Sequence, residues 1–463
     1  MISSAILERN HFLKRSFWIL VIIRGFLNAV VPLMDKTEAR YAEIARIMAE
    51  TQNWIVLQID YGIPFWAKPP LSTWASALSI SLFDASAFFV RLPYLIVCTS
   101  IGWWIGKFSH DKNSHYLPGV ILLTFPEFFL HAGVVSTDVF LTLSTTLVML
   151  AFWKSMQKEA PKFWGYLFFI GLGLGLLSKG PIIGILTLPP IVIWCLIQNK
   201  LLKALKTAPW LLGSVLMTLI ALPWYLLTEK ASPGFIDYFI VGEHFNRYFN
   251  SEWVGDKYGF PKQQPYGIVW GFLLVFCLPW SLFFLQSLKK HYKTLRQNSW
   301  GIFLLTWMLW TPFFFTTSTS LIHPYILPST IPMALWISHF WNTNKKRTIY
   351  LGVGISIPVL LLLVFLSGVA KPLFINNTDK YLIEESEPLA VFALSNKTYS
   401  SQFYSKGEIE KIDTISLKKM IKSKTPFKII IEHRLIKNLS PQIKNELYKT
   451  GENKKRGIYR LKN

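Results

Sequence analysis

Charge is scarce in this sequence, and negative charge is scarcer still. Asp, Glu, Lys and Arg make up only 16% of the 463 residues, whereas a soluble globular protein carries about 25%. The 26 acidic residues are outnumbered by 48 Lys and Arg, and 52% of the chain is hydrophobic. This composition excludes an ordinary soluble enzyme for most of the chain. Long apolar runs within residues 1–370 indicate a membrane domain, followed by a small, soluble-like domain at 371–463.

Cysteine is also rare, and a cleavable leader is not evident. The three cysteines, Cys98, Cys195 and Cys277, all fall inside apolar runs. They exclude a disulfide framework of the secreted type and are expected to pack as small apolar side chains. The first apolar run, Phe17 to Leu33, has no small-residue cleavage site after it, so we interpret it as a retained anchor.

Eleven apolar runs approach the length of about 20 residues that a spanning helix needs. They lie at roughly 16–34, 88–106, 116–132, 137–153, 163–178, 180–197, 208–228, 266–286, 300–317, 323–341 and 348–368. A twelfth run, 71–83, is short and rich in serine, and we interpret it as re-entrant or interfacial. The sequence therefore predicts an α-helical polytopic membrane protein with about 11–13 transmembrane helices.

The basic residues orient these predicted helices. With the N-terminus inside and eleven crossings, every loop on the cytoplasmic side is basic, as the positive-inside rule requires. These loops contain Lys107 and Lys112; Lys154, Lys158 and Lys162; Lys200, Lys203 and Lys206; Lys289, Lys290, Lys293 and Arg296; and Lys345, Lys346 and Arg347. We therefore expect loops 35–87 and 229–265, and the tail 371–463, on the extracytoplasmic side.

Three carboxylates on the expected outer face are candidate catalytic groups. Asp35 and Glu38 begin a segment whose apolar residues recur at i, i+3, i+4 and i+7, which predicts an amphipathic interfacial helix. The same two residues also fit a helix N-cap and capping box. Asp138 begins run 137–153, where a helix dipole favours an acid. Ionisable groups at membrane depth are costly and usually functional, however, so Asp138 is also a catalytic candidate.

The candidate donor- and phosphate-binding side chains are basic or aromatic. Lys68 precedes two prolines that fix the backbone, although a snorkelling lysine would have the same pattern. Lys179, in an expected outer turn, breaks the positive-inside pattern and needs an anionic partner, either Asp138 or a phosphate. Glu243 and Arg247 also fit a surface ion pair four residues apart on a helix. The other candidates are Arg40, Tyr41, His244, Arg247, His323 and Tyr325.

Cations and carboxylates around an outward cavity suit transfer of a sugar from a lipid phosphate, where no nucleotide is available. The leaving group is then a lipid monophosphate, whose developing charge cationic side chains must hold. A hydroxyl acceptor would need a carboxylate base. A phosphate acceptor is already anionic, so a carboxylate would instead orient groups or stabilise an oxocarbenium-like transition state.

Six short motifs, taken in order, resemble landmarks of the lipid A aminoarabinose transferases, which belong with the protein O-mannosyltransferase-like (GT-C) membrane glycosyltransferases. They are Asp35-Lys-Thr-Glu-Ala-Arg-Tyr-Ala-Glu-Ile-Ala-Arg46, Lys68-Pro-Pro-Leu71, Ser136-Thr-Asp138, Ser178-Lys-Gly-Pro181, Glu243-His-Phe-Asn-Arg247 and Tyr325-Ile-Leu-Pro328. The resemblance covers about residues 30–335.

The resemblance implies a GT-C fold, an undecaprenyl-phosphate donor carrying an amino sugar, and inverting transfer. It also implies a periplasmic active site in the bacterial inner membrane. The implied acceptor is lipid A phosphate or a related envelope glycolipid, with polymyxin resistance as a consequence. It assigns no metal ligand and no certain cofactor, and it leaves a divalent metal open.

The chain departs from the family pattern in three places. Thr37-Glu38 stands where the family often has an acidic pair, so either Asp35 or Glu38 inherits that role. Ala67 replaces a glutamate before Lys68. Leu321-Ile322-His323 replaces a Lys-Leu-Pro sequence, so one phosphate-binding lysine is missing and His323 is its candidate substitute.

Two other functions stay open. A protein O-glycosyltransferase using a lipid-phosphate sugar would tolerate Ala67 and Leu321. A lipid or sugar transporter is disfavoured, because transporters commonly show repeated halves and midplane binding, and the sequence shows neither.

The tail predicts a small basic α/β domain. It carries 19 Lys and Arg against 10 Asp and Glu, a net charge of +9. Strands are expected at Leu389–Leu394, Phe427–Ile431 and Ile458–Leu461, and a helix at Gln442–Lys449. Such a domain would rest on anionic lipid headgroups, and nucleic acid is not an expected partner outside the cytoplasm.

Overall fold

The computed structural model describes residues 2–109, 114–246, 255, 257–259, 263–318, 320–384 and 389–462. Within these ranges all twelve apolar runs are helical. The helices are α1 (Ile2–Val30), α2 (Thr37–Thr51), α3 (Leu71–Leu82), α4 (Ala87–Ile105), α5 (Leu117–Leu123), α6 (Pro126–His131), α7 (Thr137–Ser155), α8 (Phe163–Lys179), α9 (Ile182–Ile197), α10 (Leu201–Thr207), α11 (Trp210–Ala231), α12 (Ile268–Phe276), α13 (Trp280–His291), α14 (Ser299–Phe315), α15 (Leu327–His339) and α16 (Arg347–Leu366). A short hairpin, β1 (Gln58–Asp60) and β2 (Ile63–Pro64), lies between α2 and α3.

By length and composition, three helices of the described chain could cross a membrane, and a fourth crossing results if α12 and α13 form one bent span. The three are Ala87–Phe108, α11 and α16. Helices α3, α8, α9 and α14 are apolar but shorter. Helix α7 is not selected by length and composition, although it is buried among the other helices. It contains Asp138 and several hydroxyl residues, and most of its side chains are buried against other helices. The predicted total of eleven crossings therefore stays a prediction.

Two of the predicted runs are broken rather than continuous. Run 116–132 divides into α5 and α6, because Pro126 lacks the N–H that a continuous helix needs and begins a new helix instead. Run 266–286 divides into α12 and α13, which meet at Pro279 with a bend of 103°. Both breaks create places where side chains can face one another from separate helices.

Helix α2 exists where the pattern predicts it, but the expectation that its charged face is exposed is wrong. Its charged residues Glu38, Glu43 and Arg46 are buried instead of facing solvent. Arg46 donates to both oxygens of Glu43 at 2.8 and 2.7 Å. The expected capping box is wrong too, since the residue at the N-cap is Lys36 and its side chain makes no cap hydrogen bond. Protein therefore surrounds most of α2 between residues 38 and 48, and Glu38, Glu43 and Arg46 are each paired with an opposite charge.

The tail contains a five-stranded mixed sheet with short helices. Its strands are β3 (Val391–Leu394), β4 (Glu410–Ile412), β5 (Lys428–Glu432), β6 (Leu447–Glu452) and β7 (Arg456–Leu461), in the order β4-β3-β5-β7-β6. Its helices are α17 (Lys371–Ile375), α18 (Lys380–Glu384), α19 (Tyr399–Tyr404), α20 (Thr414–Ser423), α21 (His433–Asn438) and α22 (Pro441–Glu446). The three predicted strands coincide with β3, β5 and β7. The predicted helix 442–449 is wrong beyond Glu446, where the chain enters β6 because it pairs with β7.

Helix α19 joins the tail to the membrane part. Its Phe403 belongs to the same buried apolar cluster as the membrane helices. Asp35 accepts hydrogen bonds from the backbone N–H of Ser400, at 3.0 Å, and from its hydroxyl. The Tyr404 hydroxyl accepts from the N–H of Leu33 at 2.7 Å. Asp35 therefore pairs with the first turn of a tail helix, whose N-cap is Thr398, and not with its own helix.

Asp35 should make this junction sensitive to pH. Burial raises the pKa of Asp35 to about 6, although hydrogen bonds from Ser400 oppose the rise. Between about pH 4 and pH 6 the folded state then binds more protons than the unfolded state, so stability falls as the pH rises through this window. We expect the free energy of unfolding of Asp35→Asn, relative to that of wild type, to rise by on the order of 2 kcal/mol between pH 4 and pH 7. Thermal unfolding at several pH values measures this difference. A difference between the two proteins that stays the same at every pH would contradict the expectation.

Candidate functional site

Asp138 and Lys179 form an ion pair between two antiparallel helices. The Ser136 hydroxyl caps α7, accepting from the N–H of Asp138 at 3.2 Å and donating to its carboxylate at 2.8 Å. Lys179 is the last residue of α8, and its Nζ lies 2.5 Å from Oδ1 of Asp138. Both side chains are largely buried. Of the two partners predicted for Lys179, a carboxylate or a phosphate, the structure provides the carboxylate.

The turn after Lys179 contacts a π-helix, Asp237–Asn246. Both ring nitrogens of His244 contact backbone carbonyls. Nδ1 is 2.7 Å from the carbonyl oxygen of Phe239, and Nε2 is 3.2 Å from that of Lys179. Burial lowers the pKa of His244, which favours the neutral ring. A neutral ring carries one N–H and donates to one of the two carbonyls. His244 therefore lies between the backbone of Lys179 and the rest of loop 229–265.

Tyr325 covers the lysine. It lies in a short 3-10 helix, His323–Ile326, and the Nζ of Lys179 is 4.1 Å from the centre of its ring. This distance suits a cation–π contact. Tyr41 is also close enough to interact electrostatically with Lys179. The guanidinium of Arg40 lies over the ring of Tyr41 at 5.3 Å and donates to the carbonyl of Tyr258 at 2.6 Å.

A second lysine has a similar arrangement. Lys68 Nζ is 3.0 Å from Oε2 of Glu243 and 2.6 Å from the carbonyl of Ala67. Glu243 is buried, and the Tyr238 hydroxyl lies 3.4 Å from its other oxygen. Arg247, the expected partner of Glu243, lies outside the described residues. His244 follows Glu243 in the chain and its ring contacts the carbonyl of Lys179, so it connects the two pairs. We call this group the lysine cluster: Lys68, Asp138, Lys179, Glu243, His244 and Tyr325.

The other two predicted carboxylates lie elsewhere. Glu38 is buried and accepts two hydrogen bonds of 2.8 Å from Arg91. Arg91 also donates to the carbonyls of residues 28, 31 and 32. Asp35 accepts hydrogen bonds from Ser400 in the first turn of α19. Of the three predicted catalytic carboxylates, Asp138 is the one that belongs to the lysine cluster.

Two residues that the sequence did not single out lie beside His323. Its Nδ1 is 2.8 and 3.0 Å from the two oxygens of Glu127, and Nδ1 of His131 is 3.2 Å from the same carboxylate. The available signal was an acid and a histidine four residues apart on one helix face, inside an apolar run. His131 is near enough to Asp138 for their charges to interact, so this group adjoins the lysine cluster.

Gly180 shapes the turn that aims Lys179. Its φ of +79° is rare for residues with a side chain, and a Cβ there would lie 2.7 Å from the ring of Phe239. We expect Gly180→Ala to displace the turn and lower catalytic activity by about 10- to 100-fold. The matched control is Gly184→Ala, whose Cβ would meet Leu188 at an ordinary 3.8 Å. Equal activity of the two variants, measured as initial rates, would contradict this role.

Comparison with known proteins gives three kinds of match. Residues 15–239 match the family model described as dolichyl-phosphate-mannose-protein mannosyltransferase. An undecaprenyl phosphate-alpha-4-amino-4-deoxy-L-arabinose arabinosyl transferase of Enterobacter sp. (strain 638) is 28% identical over 411 residues, 82% of this chain and 71% of the relative. Its counterpart in Erwinia tasmaniensis is 25% identical over 74% of this chain and 63% of the relative.

The fold has a solved counterpart. The crystal structure of ArnT from Cupriavidus metallidurans bound to undecaprenyl phosphate superposes with a TM-score of 0.79, covering 97% of this chain and 98% of the other at 15% identity. Helical architecture, C-terminal sheet and family match together define a multi-span membrane glycosyltransferase of the GT-C class. Within that class the matches support an ArnT-like glycosyltransferase.

Proposed function

We propose that this protein transfers an amino sugar from an undecaprenyl-phosphate donor to lipid A phosphate, or to a related envelope glycolipid. The reaction takes place at the periplasmic face of the bacterial inner membrane, with inversion at the sugar. The observation that carries the proposal is the lysine cluster, where buried carboxylates hold Lys179, at the end of α8, and Lys68, shortly before α3. The names of the two curated relatives supply the donor class.

The two lysines bind the phosphate of the donor. Each ammonium is already paired with a carboxylate, Lys179 with Asp138 and Lys68 with Glu243. Preorganised cations stabilise the charge that develops on a leaving phosphate without reorganisation at the moment of reaction. His323 takes the role of the missing lysine, while Arg40, Arg247 and Tyr325 complete the donor-binding set.

Asp138 is the carboxylate that acts in the reaction. It orients Lys179, and it stabilises an oxocarbenium-like transition state when the acceptor is a phosphate. Asp35 and Glu38 act by holding the surrounding helices and the tail. In this proposal residues 1–370, with loops 35–87 and 229–265, form the transferase domain, and the basic domain 371–463 lies in the periplasm.

A second acceptor class is favoured by specific residues. Ala67 and Leu321 depart from the aminoarabinose pattern, and the matching family model is that of protein mannosyltransferases. A Ser or Thr hydroxyl of a protein, unlike a phosphate, needs a base to remove its proton. Asp138 would take that role if the acceptor is a protein.

Mass spectrometry of lipid A tests the proposal. Lipid A from cells with and without the gene is compared, with complementation by wild type, Lys68→Ala or Asp138→Ala. We expect an amino sugar on a lipid A phosphate to disappear in the knockout, return with wild type, and stay absent with either variant expressed at wild-type level. Unchanged lipid A in every strain would overturn the lipid A acceptor and direct the same comparison to secreted glycoproteins.

A further inference from the structure

Glu127, His131 and His323 bring three ligand atoms within 4.8 Å of one another. Glu127 and His131 come from α6, the short helix created by the break at Pro126, while His323 comes from a segment almost 200 residues later. The carboxylate lies between the two rings, 2.8 Å from Nδ1 of His323 and 3.2 Å from Nδ1 of His131. The arrangement exists only because α6, created by the break at Pro126, packs against the 3-10 helix that carries His323.

We propose that these three residues bind a divalent cation of the zinc class. Two imidazoles and one carboxylate form a ligand set that zinc uses in sites with an open fourth position. In a tetrahedral site with bonds of about 2.0–2.1 Å, neighbouring ligand atoms lie about 3.4 Å apart. The separations of 2.8 to 3.2 Å between carboxylate and imidazoles need only a small expansion to reach that value.

The burial of the acid supports a cation. Glu127 and His131 are 0% and 2% exposed, and a buried carboxylate needs a compensating charge. Within the described residues, the ion-pair partners of Glu127 are the two histidines. A divalent cation would neutralise the carboxylate and use the ring nitrogens as ligands.

The exposure of the third ligand provides access. The His323 side chain is 38% exposed, so an ion can enter from that side and keep a coordination position open to water or an anionic oxygen. Phe276 stacks on the His323 ring at 5.1 Å and restricts its orientation. The proximity of His131 to Asp138 places this site beside the lysine cluster. Cation binding itself does not depend on the proposed sugar transfer.

Metal binding by the purified full-length protein tests this inference. The protein, in detergent and without a histidine tag, is treated with a chelator, desalted and titrated with Zn²⁺, and bound metal is measured by mass spectrometry. We expect one tightly bound Zn²⁺ per wild-type chain. His323→Gln and Glu127→Gln should each weaken binding at least tenfold. His433→Gln, which changes a histidine of the tail sheet region, is the control and should leave binding unchanged.

Co²⁺ provides a readout that does not involve activity. Co²⁺ in a tetrahedral site of nitrogen and oxygen ligands absorbs visible light far more strongly than hydrated Co²⁺, so the wild-type spectrum should show this band and His323→Gln should lack it. Because His323 is partly exposed, this variant is expected to fold even if one at Glu127 does not. The inference is overturned if wild type retains no Zn²⁺, or if His323→Gln binds Zn²⁺ as tightly as wild type. If the wild-type protein binds Zn²⁺ but transfers no sugar, the proposed function alone is overturned.

Discussion

Replacing Lys179 by methionine is expected to lower kcat/KM for sugar transfer by at least about 100-fold, because it removes a preorganised cation from the position where phosphate charge develops. Methionine keeps most of the side chain's length and volume. It leaves the carboxylate of Asp138 buried without its partner at 2.5 Å. The rate is measured with purified protein and a labelled lipid-phosphate sugar, and folded protein is quantified in parallel by gel filtration.

The control and the partner variant separate charge from packing. Lys154→Met changes a lysine at the opposite end of α7, where its Nζ lies over the ring of Phe108, and should change the rate by less than about twofold. Asp138→Asn should cause a loss similar to that of Lys179→Met. The double variant should lose little more, since two residues that act as a unit are not additive. Full activity of a folded Lys179→Met protein would exclude Lys179 from the site.

Glu38→Gln is expected to lower the free energy of unfolding by about 3–5 kcal/mol, because it leaves the buried guanidinium of Arg91 without its counter-charge. Glu38 and Arg91 are 8% and 2% exposed and share two hydrogen bonds of 2.8 Å. Glutamine has the same size as glutamate, so the loss reflects charge and not volume. Thermal unfolding in detergent, followed by tryptophan fluorescence, measures the change.

The matched control lies on the same helix. Glu50 pairs with Arg46 but is half exposed, so Glu50→Gln should cost less than about 1 kcal/mol. The experiment also decides between the two roles considered for Glu38. If Glu38→Gln unfolds like wild type yet loses its activity, Glu38 is a catalytic carboxylate and the structural assignment is wrong.

Much of the architecture was predictable from local patterns. Every apolar run became a helix, because a backbone in an apolar environment must satisfy its hydrogen bonds within the segment. Three strands of the tail were predictable from short apolar runs. The strands β4 and β6 were not, since their exposed, polar sequences become strands only through pairing with β3 and β7.

The candidate site was predictable in part. Lys179 and Asp138 stood out because ionisable groups at membrane depth need a partner, and the structure brings them together. Glu38 and Asp35 also stood out, but their local context could not distinguish a catalytic acid from one held by a distant residue. Glu127 and His131 did not stand out at all, since their shared partner His323 lies far along the chain.

The sequence by itself determined that this chain is a helical membrane protein, which of its segments are helices, and which polar residues are out of place among apolar ones. These properties depend on composition and on residues close in sequence. Only the tertiary structure decided the partner of each buried charge: Arg91 for Glu38, Ser400 for Asp35 and the two histidines for Glu127. A buried charge is stabilised by whatever opposite charge or hydrogen bond lies within about 3 Å of it, and packing of segments far apart in the chain sets that neighbour.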